Sequence, residues 1–237
     1  MYLDDDEERL TEWLYGLSPE VRAAQLLMVA PDPEDDPDAV VEWLAENQYG
    51  GIFLQWRHLR SRAALIELGE RLREMTDESP PPFIATDEEG GLVSDTAGLI
   101  TTAPSPAALT ARNDVKLTYQ TALAMGEKLR ALGFNLVFAP SLDINVEGRN
   151  PVIGTRAFGT TVESVLKHGL TTIEGLARTG IISCVKHFPG HGATRLDSHL
   201  TLPEVDASAD TLRHREILPF RAAIDAGIPM VMAAHVS

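Results

Sequence analysis

The sequence predicts an α/β fold of the (β/α)8-barrel type, with about six of the eight strands written into its 237 residues. Three observations lead there. Short apolar runs alternate with stretches of helical periodicity, which implies parallel strands joined by right-handed helical crossovers. No glycine-rich phosphate loop follows the first run, which counts against a doubly wound dinucleotide-binding sheet. Residues able to do chemistry, Asp87, Asp143, His187 and His235, stand just after apolar runs, at the strand ends where barrel enzymes build their sites.

Taken in order, strands are expected at Leu26–Ala30, Gly51–Gln55, Phe83–Asp87, Leu136–Pro140, Ser183–Phe188 and Pro229–Val236. Most of these runs are continuously apolar, as strands covered on both faces are. Between them lie helices. Ser18-Pro19-Glu20 is a helix start, a hydroxyl N-cap followed by proline in the first turn. Leu117, Ala124, Leu129 and Leu132 are expected on one stripe of a long helix ending at Gly133. Another helix runs from about Thr161 through Val165, Gly169, Ile173 and Leu176 and stops at Gly180. The last, Ser208 to Ala226, contains Pro219, which should kink or divide it. With hydrophobic residues at 44% and aromatics at only 6%, one sizeable core is expected, filled by aliphatic side chains and alanine. Pro31–Pro37 and Ser79–Pro82 are expected as loops inside a single domain, 1–237.

Thirty-five acidic against 20 basic residues give a formal charge of −15. Such a surface repels phosphate backbones and anionic membranes, so neither nucleic acid nor a membrane is expected as a partner. Part of the excess lies in Asp4–Glu8 and Asp32–Asp38, expected as solvated ends and loops. The single cysteine, Cys184, excludes an internal disulfide. In the apolar run Ile181–Val185 it is expected to be a buried, inert thiol. Met1–Asp6 carries no basic or apolar leader pattern and no apolar stretch reaches bilayer-spanning length, so a cytoplasmic location is expected.

Three segments carry candidate chemistry. Thr86-Asp87-Glu88-Glu89-Gly90-Gly91 ends the third run. Three successive carboxylates are costly to bury. Strand alternation separates Asp87 and Glu89 from Glu88, so one face should point into a site; an ordinary acidic turn fits the same spacing. In Asn150–Gly159, Arg156 has the geometry to donate paired hydrogen bonds to a substrate, or to bridge loop backbones. The richest segment is Lys186-His187-Phe188-Pro189-Gly190-His191-Gly192, followed by Asp197-Ser198-His199. One option is a divalent metal held by His187, His191, Asp197 and His199. Against it, glycine and proline separate the histidines and no helical i, i+4 ligand pair is present. The other is a proton-transfer pair, Asp197 fixing the tautomer of His199 and raising its basicity.

Together and in order, these segments resemble glycoside hydrolase family 3, along with Leu17-Ser18-Pro19-Glu20, Gln25–Val29, Phe138–Asn145, Arg156-Ala157-Phe158-Gly159 and Met230–Val236. The Lys186–Gly192 loop with Asp197-Ser198-His199 resembles one branch in particular, the bacterial exo-β-N-acetylglucosaminidases of cell-wall recycling. That branch removes terminal β-linked N-acetylglucosamine from peptidoglycan-derived or chitin-derived glycosides. The resemblance implies that Asp87 holds sugar hydroxyls and that Arg156, Lys186 and His187 line the same sugar pocket. It implies His199 as general acid/base oriented by Asp197, on a loop that closes over substrate, with a carbohydrate as the partner and no metal or other cofactor. It also implies a nucleophilic aspartate on strand seven, giving a covalent glycosyl-enzyme and retention of configuration. No such segment lies within these residues. The domain is therefore expected to be C-terminally incomplete, and the chain inactive and poorly stable alone. Leu92 stands where the family usually has arginine, whereas Glu88 matches its usual glutamine or glutamate.

Competing expectations are a phosphorylase, since a neutral imidazole does not repel incoming phosphate; a non-catalytic sugar-binding protein; and, last, a metal hydrolase.

Overall fold

The computed structural model describes residues 2–32, 36–59, 61–74, 80–148, 150–194, 202–205 and 207–237. The chain opens with helices α1 (Tyr2–Gly16) and α2 (Pro19–Ala24), then strand β1 (Met28–Val29), α3 (Pro37–Asn47), β2 (Gly51–Phe53), α4 (Arg62–Glu74) and β3 (Phe83–Thr86). A hairpin, β4 (Glu88–Gly90) with β5 (Val93–Ser94), follows directly. Next come α5 (Pro106–Arg112), α6 (Val115–Ala131), β6 (Leu136–Val137), α7 (Val162–Ala177) and β7 (Ile182–Phe188). The chain closes with α8 (Ala209–Thr211), α9 (Leu218–Asp225) and β8 (Met230–Ala233).

All six expected strands are present and form one sheet in the order β1-β2-β3-β6-β7-β8. Every neighbouring pair is parallel. A doubly wound sheet would reverse its strand order partway; here every crossover steps the same way along the sheet, as in a barrel, which keeps the helices on one face.

Strand alternation divides the core. Ile52, Ile84 and Val137 point outward into a cluster with Leu44, Leu65 and Leu72 from the helices. Val185 points outward into a second cluster with Val165 and Phe220. The intervening residues point inward, where Ala85, Leu136 and Cys184 pack with Met28, Phe53, Phe83, Phe138, Met230 and Met232. The expectation of an aliphatic and alanine core holds: among the described buried hydrophobic residues Phe134, Phe158 and Phe220 are the aromatic ones. Inside the strands the partly buried Phe53, Phe83 and Phe138 join it, with Phe53 and Phe138 in ring contact at 5.3 Å. Bulky flat and flexible side chains fill the interior where Gly51 and Ala85 leave room. Cys184 is buried as expected, and burial pushes its thiol up to about 11.

Helix starts follow the sequence signals. Ser18, Asp36, Ser105, Asp114, Thr161 and Ser208 each cap a helix with a side-chain oxygen. Pro219 divides the last helical segment, with a π-turn at Leu212–Glu216 preceding α9. The acidic run Asp4–Glu8, expected as a solvated end, lies in α1, with Glu7 and Glu8 exposed. Of the run expected as a loop, Asp36 and Asp38 instead start α3. The buried face of α6 is Thr118, Ala122, Met125, Gly126 and Leu129, while Leu117 and Ala124 are exposed. The reason is close packing on α7: a Cβ on Gly175 would lie 2.7 Å from that of Ala122, and Thr118 Oγ1 bonds the buried His168 at 2.8 Å. Small and polar residues that hydropathy discounts make this contact. Among the described residues no helix is long and apolar enough to cross a membrane.

Candidate active site

The ends of β3, β6, β7 and β8 meet around one cleft of about 420 Å³, lined by Asp87, Val93, Val152, Arg156, Lys186, His187, His191 and residues 232–235. Alternation in β7 sends Val185 outward and Lys186 inward, just above Cys184. The β6–β7 ladder continues past β6. Lys186 N donates to Pro140 O at 3.2 Å, and Leu142 N donates to Lys186 O at 2.7 Å. Asp143 is thereby delivered opposite His187.

Lys186 Nζ donates to Asp87 Oδ1 at 2.5 Å and lies 2.6 Å from Glu89 Oε1. Glu89 also takes the forked guanidinium of Arg156, Nε to Oε2 at 2.9 Å and Nη2 to Oε1 at 2.8 Å. Arg156 Nη1 donates to Val152 O at 3.1 Å, and Nη2 lies 3.3 Å from His187 Nε2. His187 Nδ1 bonds Asp143 Oδ2 at 2.6 Å, so Asp143 orients the ring. Asp143 is fully buried and also accepts from Ser141 Oγ at 2.9 Å and from His191 N at 2.6 Å. Two acids and two cations balance in the first group, which is what allows Glu89 and Lys186 to be buried.

These contacts set the proton affinities. Burial alone would raise the Glu89 carboxyl, but the Lys186 charge and the Arg156 bonds outweigh it and hold the group below its ordinary value. Burial would likewise raise Asp143, yet His187 and the other donors keep it low. Burial opposes the charge on Lys186, and Glu89 and Asp87 more than restore it. His191 is lowered by burial. Glu88 points the other way, bonded to Ser94 Oγ and Thr96, and burial raises its carboxyl.

Close backbone packing holds the histidine loop. A Cβ on Gly192 would sit 1.9 Å from Ile144 O, so only glycine fits there. Asn150 Nδ2 donates to His191 O at 2.9 Å, while its Oδ1 accepts from Val152 and Ile153. One asparagine therefore ties the Arg156 loop to the histidine loop.

The structure brings Asp87, Arg156, Lys186 and His187 together. Asp197 and His199 lie outside the described residues. Arg156 spends its paired donors on Glu89 rather than leaving them free for a ligand, whereas Asp87, 28% exposed at its side chain, faces the cleft. The separation expected within Asp87-Glu88-Glu89 is present. Glu89 and Asp143 have larger parts than the sequence assigned them. Asp143 was visible as a strand-end acid, but its partners arrive from β7, 44 residues later. Among the described residues no group of three or more His, Cys, Asp or Glu could hold a metal ion.

Known proteins are similar to this chain in sequence and in fold. Beta-hexosaminidase A of Pseudoalteromonas piscicida is 35% identical over 208 residues, covering 84% of this chain and 35% of its own length. A glycoside hydrolase family 3 beta-N-acetylglucosaminidase from Paenibacillus sp. superposes with TM-score 0.87 at 39% identity, over 93% of this chain and 42% of that one. NagZ from Neisseria gonorrhoeae, solved in complex with N-trifluoroacetyl-D-glucosamine, superposes with TM-score 0.80 at 32% identity, over 89% and 63%. The chain thus spans well under two thirds of the hexosaminidase. Residues 19–237 match the family described as "Glycosyl hydrolase family 3 N terminal domain", and the chain belongs to that family.

Proposed function

We propose that the protein containing this chain hydrolyses terminal β-linked N-acetylglucosamine, from peptidoglycan fragments or chitooligosaccharides, with retention of configuration, and that 1–237 belongs to a single barrel domain of it, six of whose strands lie here. The observation that carries this is the balanced Asp87–Lys186–Glu89–Arg156 network beside the Asp143–His187 pair, lining one cleft at the strand ends. Such a cleft offers a neutral sugar an open carboxylate, Asp87, for its hydroxyls, on a floor that is already neutralised. The names of the relatives, and the N-acetylglucosamine analogue bound to the gonococcal protein, support the choice of sugar.

In this mechanism His199, oriented by Asp197, protonates the leaving oxygen and then takes a proton from water. An aspartate outside these 237 residues attacks the anomeric carbon from the opposite face, forming the glycosyl-enzyme. His187, fixed by Asp143 and flanked by Arg156, holds the sugar in place.

The test uses the product of the whole reading frame that contains this chain. A methyl or aryl β-N-acetylglucosaminide is cleaved while the anomeric proton is followed by NMR. The first-formed sugar should be the β anomer, and His199→Ala should slow a methyl glycoside far more than an activated aryl one. A first-formed α anomer, sugar 1-phosphate formed only when phosphate is added, or no cleavage at all would overturn the proposal.

A further inference from the structure

Trp56 is 72% exposed. It opens a short 3-10 turn, Trp56–His58, directly after β2, on the side where the strand ends form the cleft. The turn is rigid. Gln55 N donates to His58 Nδ1 at 2.8 Å, His58 N to Gln55 O at 2.8 Å, and Leu59 N to Trp56 O at 3.2 Å. Leu54 and Leu59, on either side of the turn, are buried at 2% and 8% exposure. Leu54 O accepts from Thr86 Oγ1 at 2.8 Å, which ties the turn to β3 one residue before Asp87. A fixed backbone therefore displays a bare indole, an arrangement that loses little freedom on binding.

Asp95 joins this turn to the cleft. Its backbone N donates to Asp87 O at 2.9 Å. Its half-buried carboxylate lies beside the backbone N–H of Trp56 and near Asp87 and Lys186. Gln55 and Arg57 flank the indole with polar side chains, so its chain neighbours do not extend it into an apolar patch for docking a protein.

We propose that Trp56 and Asp95 form a subsite for a second sugar ring, adjoining the ring held at Asp87 and Lys186. The indole stacks on the C–H face of that ring, and the Asp95 carboxylate accepts from one of its hydroxyls. The subsite presupposes that the cleft takes N-acetylglucosamine, and it adds a preference for a chain of such sugars over a single one. Aromatic stacking has the apolar area and the orientation for this, with a polar group beside it to fix register.

The test compares N-acetylglucosamine with triacetylchitotriose on the product of the whole reading frame, carrying His199→Ala so that the trisaccharide is not cleaved during the measurement, with Trp56 native and in Trp56→Ala and Trp56→Phe. Affinities come from calorimetry, and shielding of Trp56 from iodide quenching of its fluorescence is read alongside. The trisaccharide should shield Trp56 and the monosaccharide should not. Trp56→Ala should weaken the trisaccharide about tenfold and leave the monosaccharide unchanged, with Trp56→Phe close to native. Protein with native Trp56 that binds both sugars equally, with no shielding and no effect of Trp56→Ala, overturns the subsite while the function stands. Protein with native Trp56 that binds neither sugar, and that with His199 restored cleaves no N-acetylglucosaminide, overturns the function and the subsite together.

Discussion

Replacing Glu89 with glutamine tests whether the charge network holds the site together. The Glu89 side chain is fully buried, Lys186 is 3% exposed and Arg156 12%. Both carboxylate oxygens are used: Oε1 faces Lys186 Nζ and Arg156 Nη2, and Oε2 faces Arg156 Nε. Glutamine keeps the shape but presents an NH2 at one end, so at least one buried N–H must face another N–H. The network also loses its balance, with two cations left against Asp87 alone. Removing one partner of a buried ion pair costs about 3–5 kcal/mol, a large share of a total stability of about 5–15 kcal/mol. At about 2–4 °C per kcal/mol for a chain of this size, the melting temperature should fall by roughly 6–20 °C.

The pH dependence supplies a second check. Glu89 is held below its ordinary value of 4.5 in the fold. A lowered carboxyl contributes stability that is fully present above the unfolded value and is lost as pH falls through the folded one. The gap between native protein and Glu89→Gln should therefore be full at neutral pH and narrow as the pH drops below the ordinary glutamate range. Adding Lys186→Met rebalances the charges, so the double variant should lose less than the sum of the two single variants. Urea unfolding followed by circular dichroism measures all of these. A loss below about 1 kcal/mol at neutral pH, the level of an exposed pair, or strict additivity in the double variant, would refute a buried and coupled network.

Glu88 should behave oppositely. Its Oε2 accepts from Ser94 and Thr96, its Oε1 has no partner, and burial raises its carboxyl. Glu88→Gln should stabilise the protein at neutral pH by about 1 kcal/mol. Because a raised carboxyl regains stability as pH falls, that advantage should shrink toward acid pH in the same unfolding assay. Asp143→Asn removes the charge that orients His187 and receives His191 N; sugar affinity by calorimetry should fall roughly tenfold to hundredfold. Cys184, buried with its thiol pushed up to about 11, should resist a disulfide reagent at mildly alkaline pH and react at once in denaturant.

The strands were legible because a strand covered on both faces must be largely apolar, and Gly51–Phe53 or Leu136–Val137 has no other place to go. Hairpin β4–β5 was not legible. Glu-Glu-Gly reads as a turn, and Glu88 is held by hydroxyls of Ser94 and Thr96 that only the folded chain brings to it. Alternation correctly divided Asp87 and Glu89 from Glu88, since a period of two is local. It could not supply Arg156 as the partner of Glu89, 67 positions away. Composition gave the scarcity of aromatics but not their location; inward register, Phe53 beside Ala85, decides that. For Asp197 and His199 the sequence remains the source of the assignment, since both lie outside the described residues.

The same pairing bears on whether the cleft favours a sugar or an anion. Lys186 and Arg156 are the cations of the described cleft, and both are committed, to Asp87 and Glu89 and to Glu89 alone. Asp143 adds a further buried carboxylate beside His187. A phosphate dianion entering here would meet cations already paired with carboxylates, whereas a neutral polyhydroxylated ring meets acceptors that suit its donors. On the proposed reading, this charge arrangement favours hydrolysis by water over phosphorolysis. Inorganic phosphate should leave the melting temperature unchanged at concentrations that would fill a millimolar site, since a bound ligand raises it by mass action. A rise that saturates with phosphate would mean that a cation is free in the cleft, and phosphorolysis would then account better for the site.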